Sequence, residues 1–417
     1  MALLSCAWVA FTVLAVEARM DGAPVISRTF PPSTWVALTP IPQQGQGAIF
    51  TVGVNPFNNQ AVLAGTSDGS LMLSADGGST WRSVRRGAGG ILNIGFSPFK
   101  TGLVFAGTRG AGALASNDGG LTWGVVKGLE GRSVRVFGFA LTLFVAGTDR
   151  GVYTSADGLT WKASGLPKTS IGALTVAAIH APVRLVAGSD AASTIGGVPL
   201  FQSTDGGTTW APLKATISGK VVSYLASGPL PPKSTARPLV VGTNTGLFTS
   251  NDNGTSFTPN SGGGLLPSTD YTQIVFVTTH FDRYYVASDG GGSTSGGLWR
   301  TRDGARHFTS LAPPMPSVTA FAVSNDETPI LYVATFRPAD HAAVLWAYRD
   351  TGGTPQGTAA SPTPATSGSR TNPPPPAGTS GLSQLLLSAR TPYIAIGLVA
   401  LIVILIAVVS HFRGRRG

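Results

Sequence analysis

Short runs of alternating apolar residues recur along the chain, and glycine-containing turns separate them. One run, Ala-Val-Leu-Ala-Gly-Thr at residues 61–66, has counterparts at residues 103–108, 143–148, 184–189 and 238–243, and a looser one at 284–288. Apolar alternation at a period of two, joined at glycine turns, predicts antiparallel β-hairpins. The recurrence predicts that one hairpin unit is repeated along most of the chain.

A polar phrase with the pattern Ser-x-Asp-x-Gly-x-Thr-Trp forms the second part of six units. Its copies span residues 74–81, 116–123, 155–161, 203–210, 250–257 and 301–308; the third is one residue short, and the last two end in Phe257 and Phe308. Their aspartates lie 39 to 51 residues apart and are Asp76, Asp118, Asp157, Asp205, Asp252 and Asp303. A repeat of about 40–50 residues with strand-like flanks is typical of a β-propeller, in which each repeat is one four-stranded sheet.

The polar phrase predicts a tight turn between two strands. The aspartate can accept hydrogen bonds from backbone N–H groups of its own turn, and the glycine permits positive φ. The aromatic residue begins the next strand and can pack over the turn; four copies use Trp81, Trp123, Trp161 and Trp210.

These residues resemble the Asp-box, or BNR, repeat of sialidases, sortilins, xyloglucan hydrolases and the photosystem II assembly factor of plants and cyanobacteria. The resemblance covers roughly residues 33 to 350. It implies a β-propeller in which the six aspartates and four tryptophans are structural. Since the box is a turn in all these families, it does not select one activity among them.

A further apolar column opens each unit, and it has one member more than the boxes. Its members are Ile49, Ile91, Val134, Ile171, Val222, Tyr271 and Val318. The seventh unit lacks a complete box, because residues 350–353, Asp-Thr-Gly-Gly, form only a decayed copy, and no fourth strand follows them. An orphan strand with a tryptophan, residues 34–38, stands at the other end. We therefore predict an all-β, single seven-bladed propeller over residues 30–350, closed by its N-terminal strand.

The two ends of the chain have a different composition. Residues 1–18 resemble a signal peptide or an N-terminal hydrophobic segment, and residues 351–390, rich in Pro, Thr, Ser and Gly, predict a disordered stalk. Residues 391–412 are long and apolar enough to predict a transmembrane helix, and residues 413–417 form a basic tail. The positive-inside rule places this tail in the cytoplasm. The expected protein is therefore a single-pass cell-membrane protein with an extracytoplasmic propeller.

The charge of the chain does not indicate nucleic-acid binding. The net charge is +10, but part of it lies in the basic tail, and the propeller is expected outside the cell. Strand order instead gathers six arginines on one sector of one face of the disc: Arg85, Arg86, Arg109, Arg132, Arg135 and Arg150. Because guanidinium groups bind carboxylates and phosphates in a planar fork, these are the candidate binding residues. The alternative is a solvated rim, partly neutralised by Asp68 and Asp149.

Enzyme chemistry has little support in the sequence. A sialidase-type site needs three arginines, a Tyr–Glu nucleophile pair and an aspartic acid, but the propeller holds only two glutamates, Glu130 and Glu327. A xyloglucanase-type site needs two facing carboxylates; Asp68, Asp149, Asp190, Asp270 and Asp289 could supply them, although those enzymes resemble two propellers that form a cleft. No metal-ligand spacing or phosphate loop is present. The only cysteine, Cys6, precedes the propeller, so no intrachain disulfide is possible.

The resulting expectation is a non-catalytic, membrane-tethered propeller that binds a protein or glycan partner on the arginine sector, without a cofactor. An assembly-factor-like role is a narrower version of this expectation. The alternative is a glycoside hydrolase of sialidase or xyloglucanase type.

Overall fold

The chain forms seven four-stranded antiparallel sheets arranged as the blades of a propeller. The computed structural model describes residues 28–42, 48–87, 89–191, 199–213, 217–261, 264–266, 269–292, 296–337 and 339–358. With strands numbered in chain order, β1 (Trp35–Ala37) belongs to the seventh blade, and the next 24 strands supply the first six blades in sequence. Each of these blades therefore uses one continuous segment, as the repeat predicts.

The strand bounds follow the repeat closely. Blade one contains β2 (Ile49–Asn55), β3 (Asn58–Thr66), β4 (Ser70–Ser74) and β5 (Arg82–Arg86); blade two contains β6 (Ile91–Phe96), β7 (Val104–Thr108), β8 (Ala113–Ser116) and β9 (Gly124–Val125); blade three contains β10 (Val134–Phe139), β11 (Phe144–Thr148), β12 (Gly151–Ser155) and β13 (Lys162–Gly165). Blade four contains β14 (Ile171–Ala178), β15 (Arg184–Ser189), β16 (Leu200–Ser203) and β17 (Ala211–Pro212); blade five contains β18 (Val222–Ser227), β19 (Leu239–Thr243), β20 (Gly246–Ser250) and β21 (Thr258–Asn260). Blade six contains β22 (Gln273–Phe276), β23 (Tyr284–Ser288), β24 (Gly297–Thr301) and β25 (Thr309–Ser310), with a short 3₁₀ turn at Gly290–Gly292; blade seven contains β26 (Val318–Val323), β27 (Ile330–Arg337) and β28 (Ala342–Arg349).

The N-terminal strand closes the ring, as predicted. In blade seven the strand order is β26, β27, β28, β1, and Trp35 pairs with Tyr348 across the last two strands. The Trp35 side chain is 1% exposed, and its indole N–H donates to Leu311 O of blade six at 2.8 Å. The closing strand therefore joins the first and last parts of the sequence and also fastens blade seven to blade six.

The hydrophobic core is divided into seven clusters, and each fills the space between two neighbouring blades. The cluster between blades one and two contains Leu63, Leu71, Ile91 and Val104, for example. The cluster between blades seven and one completes the circle. Because burial of apolar surface is the main favourable term in folding, these interfaces hold the disc together. All the described strands and all seven clusters lie within residues 28–358, so this part carries the entire described core.

The glycine of the repeated Ala-Gly-Thr phrase is required by this packing. A Cβ at Gly65 would lie 2.6 Å from Ile91 Cγ2, on the first strand of the next blade. A Cβ at Gly188 would lie 2.5 Å from Val222 Cγ1 in the same relationship. Glycine therefore lets the first strand of each following blade approach the second strand closely.

The described chain continues past the predicted boundary at residue 350. Gln356 N donates to Ser33 O at 2.7 Å, and Trp35 N donates to Gly357 O at 3.3 Å. The segment beyond β28 thus runs along the outer edge of β1 and satisfies part of its exposed backbone. The predicted signal segment, most of the stalk and the predicted membrane span and tail lie outside the described residues. Within the described ranges, no helix has the length and apolar character needed to cross a bilayer.

Candidate functional site

The disc has two faces with different components. On the exit face, the box turns lie beside the turns between first and second strands: Gly77 N donates to Gln60 O, and Gly119 N to Gly102 O, at 2.9 and 2.8 Å. On the entry face, the turns between second and third strands lie beside the links between blades: Arg109 N donates to Gly90 O at 2.9 Å. The box turns and the turn of Arg109 are therefore on opposite faces.

Each box is a self-contained hydrogen-bonded turn. In blade two, Ser116 Oγ donates to Asp118 at 2.7 Å and accepts the N–H of Gly120 at 2.9 Å. The Thr122 N–H donates to the same carboxylate at 2.9 Å, and the Trp123 indole donates to Gly120 O at 2.9 Å. Equivalent serine or threonine bonds to the aspartate occur in the other five boxes. The carboxylates are thus used within their turns.

Backbone contacts place the turns and links that carry three of the candidate arginines on the entry face. Arg109 contacts the link from blade one through Gly90, and Arg132 O accepts the N–H of Gly112 at 2.9 Å. Asp149 N donates to Ser133 O at 3.1 Å, which joins the turn of Arg150 to the same link. Arg85 and Arg86 end β5, immediately before the first link, but the Arg85 guanidinium reaches Trp123 O at the end of the second box. We call the six candidate arginines the arginine sector.

Aromatic side chains hold two of these arginines in position. The Arg109 guanidinium lies over the Phe50 ring, 5.4 Å from its centroid. The Arg132 Nε–H donates to the Tyr153 hydroxyl at 3.1 Å, and this hydrogen bond raises the pKa of Arg132. Cation–π contact and a neutral hydrogen-bond partner orient a guanidinium without removing its charge. Both arginines therefore remain available to an anion.

The other arginines have different surroundings. The Arg135 guanidinium forms an ion pair with Asp190 of blade four and donates to Ser170 Oγ at 3.1 Å. Arg85 donates to Trp123 O at 3.4 Å and is half-buried, whereas Arg86 and Arg150 are exposed. Within the described part of the chain, Arg135 is the one member of the arginine sector that has a carboxylate within 4.0 Å.

The two acids expected to neutralise the arginine sector each accept local hydrogen bonds, and the charge of Asp149 also helps to raise the pKa of Arg132. Asp68 accepts hydrogen bonds from Thr66 Oγ1 and from Ser70 N, which lower its pKa even though partial burial raises it. Asp149 Oδ1 accepts the N–H of Ser133 at 3.0 Å. The sequence did not indicate Phe50, Tyr153 or Asp190 as partners of arginines, because each contact crosses between strands or blades that only the fold brings together.

Nothing in the described residues forms a metal site, since no three His, Cys, Asp or Glu side chains cluster there. Glu130, one of the two glutamates of the propeller, accepts the N–H of Gly128 at 2.9 Å and so caps its own turn.

The fold and the surfaces described above define the protein as a seven-bladed β-propeller. The sequence matches no protein-family model and no curated protein sequence. Solved structures resemble it through the fold. YCF48 from Cyanidioschyzon merolae superimposes with a TM-score of 0.52 at 14% identity, over 76% of this chain and 98% of that one. A structure of YCF48 bound to a D1 peptide gives a TM-score of 0.55 at 16% identity, over 79% and 100% of the two chains.

The fold of an enzyme resembles that of this chain to a similar degree. The GH74 xyloglucanase from Xanthomonas campestris superimposes with a TM-score of 0.56 at 14% identity, over 76% of this chain but only 56% of the enzyme. These identities are low enough that the likeness establishes the propeller fold and no particular activity.

Proposed function

We propose that this protein is a non-catalytic binding module whose arginine sector takes the carboxylates of a partner protein segment. The proposal rests on how Arg109 and Arg132 are positioned and on the absence, in the described part of the chain, of an acidic partner in contact with them. Phe50 and Tyr153 orient their guanidinium groups, and among the described residues no carboxylate lies within 4.0 Å of either. Preformed guanidinium forks lower the entropic cost of binding an anion.

A protein partner is favoured over a glycan by one comparison. YCF48, which shares the fold, has been solved with a D1 peptide, so a propeller of this architecture can present a peptide-binding surface. A surface of separate arginines also suits the spaced carboxylates of an acidic peptide. An anionic glycan is the competing ligand in the experiment below.

The hydrolase alternative has less support, because the entry-face acids have structural partners. Asp190 pairs with Arg135, Asp149 accepts Ser133 N, and Asp289 Oδ1 accepts Gly291 N at 2.7 Å. A glycosidase needs one acid to be free to donate a proton and another to act as base or nucleophile. Carboxylates that are committed to turns or to an arginine are poorly suited to either task.

The proposal also includes the location of the propeller. The apolar run at residues 391–412 and the basic residues after it support a C-terminal membrane span with the propeller outside the cytoplasm. The Pro- and Ser-rich residues 359–390 then form the tether. A tethered module meets its partner at a raised effective concentration near the membrane.

The test uses the propeller alone, residues 28–358. Fluorescence anisotropy would measure its binding to peptides that carry several Asp or Glu residues, to their Asn and Gln versions, and to sialylated oligosaccharides. We expect the acidic peptides to bind, the amide versions to bind much more weakly, and affinity to fall as salt is raised, because exposed charges are screened within about 10 Å at ~0.1 M salt.

Charge-reversal variants on the two faces locate the surface. Arg109→Glu with Arg132→Glu should abolish peptide binding, whereas Arg306→Glu on the exit face should leave it unchanged, since Arg306 lies in the sixth box. Melting temperature confirms folding in each case. Equal binding by the double variant, or tighter binding of the sugar than of any acidic peptide, would refute the proposal. Turnover of a glucan polymer by the parent protein would establish the hydrolase alternative instead.

A further inference from the structure

The central channel opens on the exit face into a cavity that no step of the proposed function uses. Its volume is about 560 Å³, within the range of about 300–1,000 Å³ that is common for small-molecule sites. The first strands of blades two to six form its wall, and the turns that follow them form its mouth. It lies on the opposite side of the disc from the arginine sector.

The wall of this cavity, which we call the channel-mouth cavity, is mainly apolar. Side chains from different blades contribute to it, including Phe137, Phe139, Leu174, Val176 and Phe276. Two apolar side chains at its rim face solvent: Phe99 is 43% exposed, and Leu230 is 48% exposed. Both follow a proline at the tip of a turn, and the N–H of Phe99 is held by Ser97 Oγ at 3.3 Å. A ligand that covered these two side chains and the apolar wall would remove apolar surface from water, which favours binding.

One charged group lies in the wall. Among the described residues, Arg237 is the only charged residue of the lining; it is half-buried, and its Nη1–H donates to Gly228 O at 3.2 Å. No carboxylate of the described residues lies within 4.0 Å of the Arg237 guanidinium. A half-buried cation without a counter-ion is a favourable partner for an anionic group of a ligand.

We propose that the channel-mouth cavity binds a long-chain carboxylate of the fatty-acid class, with its head group on Arg237 and its hydrocarbon chain against the apolar wall. A carboxylate provides an acceptor and a counter-charge for the guanidinium. A polymethylene chain suits the wall, because it brings no further polar groups that would need partners. A peptide with a free C-terminus offers the same head group, but each of its amide groups requires a hydrogen bond when water is displaced.

The experiment measures binding of a natural fluorescent fatty acid, cis-parinaric acid, to the propeller of residues 28–358, and its displacement by palmitate. Palmitate should compete, whereas its methyl ester and hexadecanol, which lack the negative charge, should compete much less well. An apolar tetrapeptide with a free C-terminus and its amide form a second pair of competitors.

Variants separate the head-group contact from the chain contact. Arg237→Gln should lower the affinity for palmitate by roughly tenfold to a hundredfold, as expected for losing a hydrogen bond to a charged group. Val176→Trp places a larger side chain in the cavity and should reduce the binding of palmitate and of hexadecanol alike. Arg306→Gln, on the exit face but outside the channel-mouth cavity, is the matched control, and Arg109→Glu with Arg132→Glu should have no effect. Melting temperatures identify any variant that fails to fold. If Val176→Trp does not fold, Leu230→Ser, at an exposed position on the rim, takes its place.

Several outcomes would overturn the proposal. Absence of parinarate binding by the parent protein refutes it, and so does binding that Arg237→Gln leaves unchanged. If the tetrapeptide carboxylate displaces parinarate more effectively than palmitate does, the cavity is a peptide site. Because the arginine-sector variants are measured alongside, failure here is distinguishable from failure of the proposed function.

Discussion

Arg300 of blade six and Asp350 of blade seven form an ion pair in which both side chains are almost completely buried, at 6% and 0% exposure. The Tyr285 hydroxyl donates to the same carboxylate at 2.7 Å, and Arg300 also donates to Gly352 O and Gly353 O, each at 2.8 Å. Burial, followed by the charge of Asp350, raises the pKa of Tyr285. Asp350 occupies the aspartate position of the decayed seventh box. Side chains of the neighbouring blade therefore hold the turn that has lost its tryptophan.

Removing one partner of this pair should be strongly destabilising. Asp350→Ala leaves the Arg300 charge buried without a counter-ion, and breaking a buried pair in this way typically costs about 3–5 kcal/mol. Chemical denaturation would measure the loss in the free energy of unfolding. The double variant Arg300→Met with Asp350→Ala should recover part of it, because no unpaired charge remains. A single variant that is as stable as the parent would show that the pair does not fasten the blades.

Trp35 should be the most sensitive residue of the closing strand. It packs against Tyr348 with ring centroids 4.7 Å apart and bonds to Leu311 O. Trp35→Ala should cost about 3–5 kcal/mol, the usual range for truncating a buried tryptophan. Thr34→Ala is the neighbouring control, since Thr34 makes only a local bond to Pro32 O in the described structure. Deleting residues 30–40 should expose the β28 edge and cause aggregation, which light scattering would detect.

The box aspartates should make the propeller acid-sensitive. Backbone N–H groups of Thr160 and Leu159 lower the pKa of Asp157 to about 2, and hydrogen bonds from Thr209 lower the pKa of Asp205 to about 2. Because the folded pKa lies below the unfolded value of about 3.9, these carboxylates stabilise the fold above pH ~4. That stability is lost as the pH falls through ~4 toward ~2.

The melting temperature, measured from pH 5 to pH 2, would check the acid sensitivity. This range includes both the unfolded and the folded pKa of the box aspartates. Asp205→Asn should lower the melting temperature at neutral pH and make its decline in acid less steep, because one titrating group is gone. Equal slopes for the parent and this variant would mean that the box carboxylates do not couple folding to protonation.

Much of the fold followed from the sequence because the repeat is periodic. The seven-member column from Ile49 to Val318, set against six boxes, predicted the blade number, and the orphan Trp35 predicted how the ring closes. The seven four-stranded sheets confirm the blade number, and the pairing of Trp35 with Tyr348 confirms the closure. Strand direction also predicted that the turns of Arg109 and Arg150 lie opposite the boxes, but not that the Arg85 guanidinium reaches the end of the second box.

Contacts between blades could not be predicted in the same way. The pairing of Arg135 with Asp190 and of Arg300 with Asp350 depends on how neighbouring blades are rotated and offset, and the sequence pattern does not encode either quantity. The channel-mouth cavity was also missed. Its available signal was the recurrence of Pro98-Phe99 and Pro229-Leu230 in equivalent turns, where a proline at a turn is followed by an apolar residue.

The proposed tether and membrane span lead to a prediction about intact cells. Protease added outside the cells should cut between residues 359 and 390 and release a soluble propeller, because Pro- and Ser-rich segments resist compact folding and are accessible. Mass spectrometry of the released fragment would locate the cleavage. Protection in cells together with cleavage in inverted vesicles would reverse the proposed orientation.

The ion pair between Arg135 and Asp190 predicts a variant that raises the affinity for acidic peptides, whereas the arginine variants should lower it. Asp190 neutralises the one arginine of the sector that has an acidic partner among the described residues. Asp190→Asn should therefore free the Arg135 charge and strengthen binding of acidic peptides by a few-fold at low salt, since ion pairs near the protein surface are typically worth about 0–1 kcal/mol. Anisotropy titrations at low and high salt would measure the gain, which should vanish as salt screens the charge. Asp282→Asn, which removes the same charge from the exit face, is the control and should not change the affinity. If Asp190→Asn weakens binding, the ion pair positions the site, and Arg135 is not a contact residue of the partner.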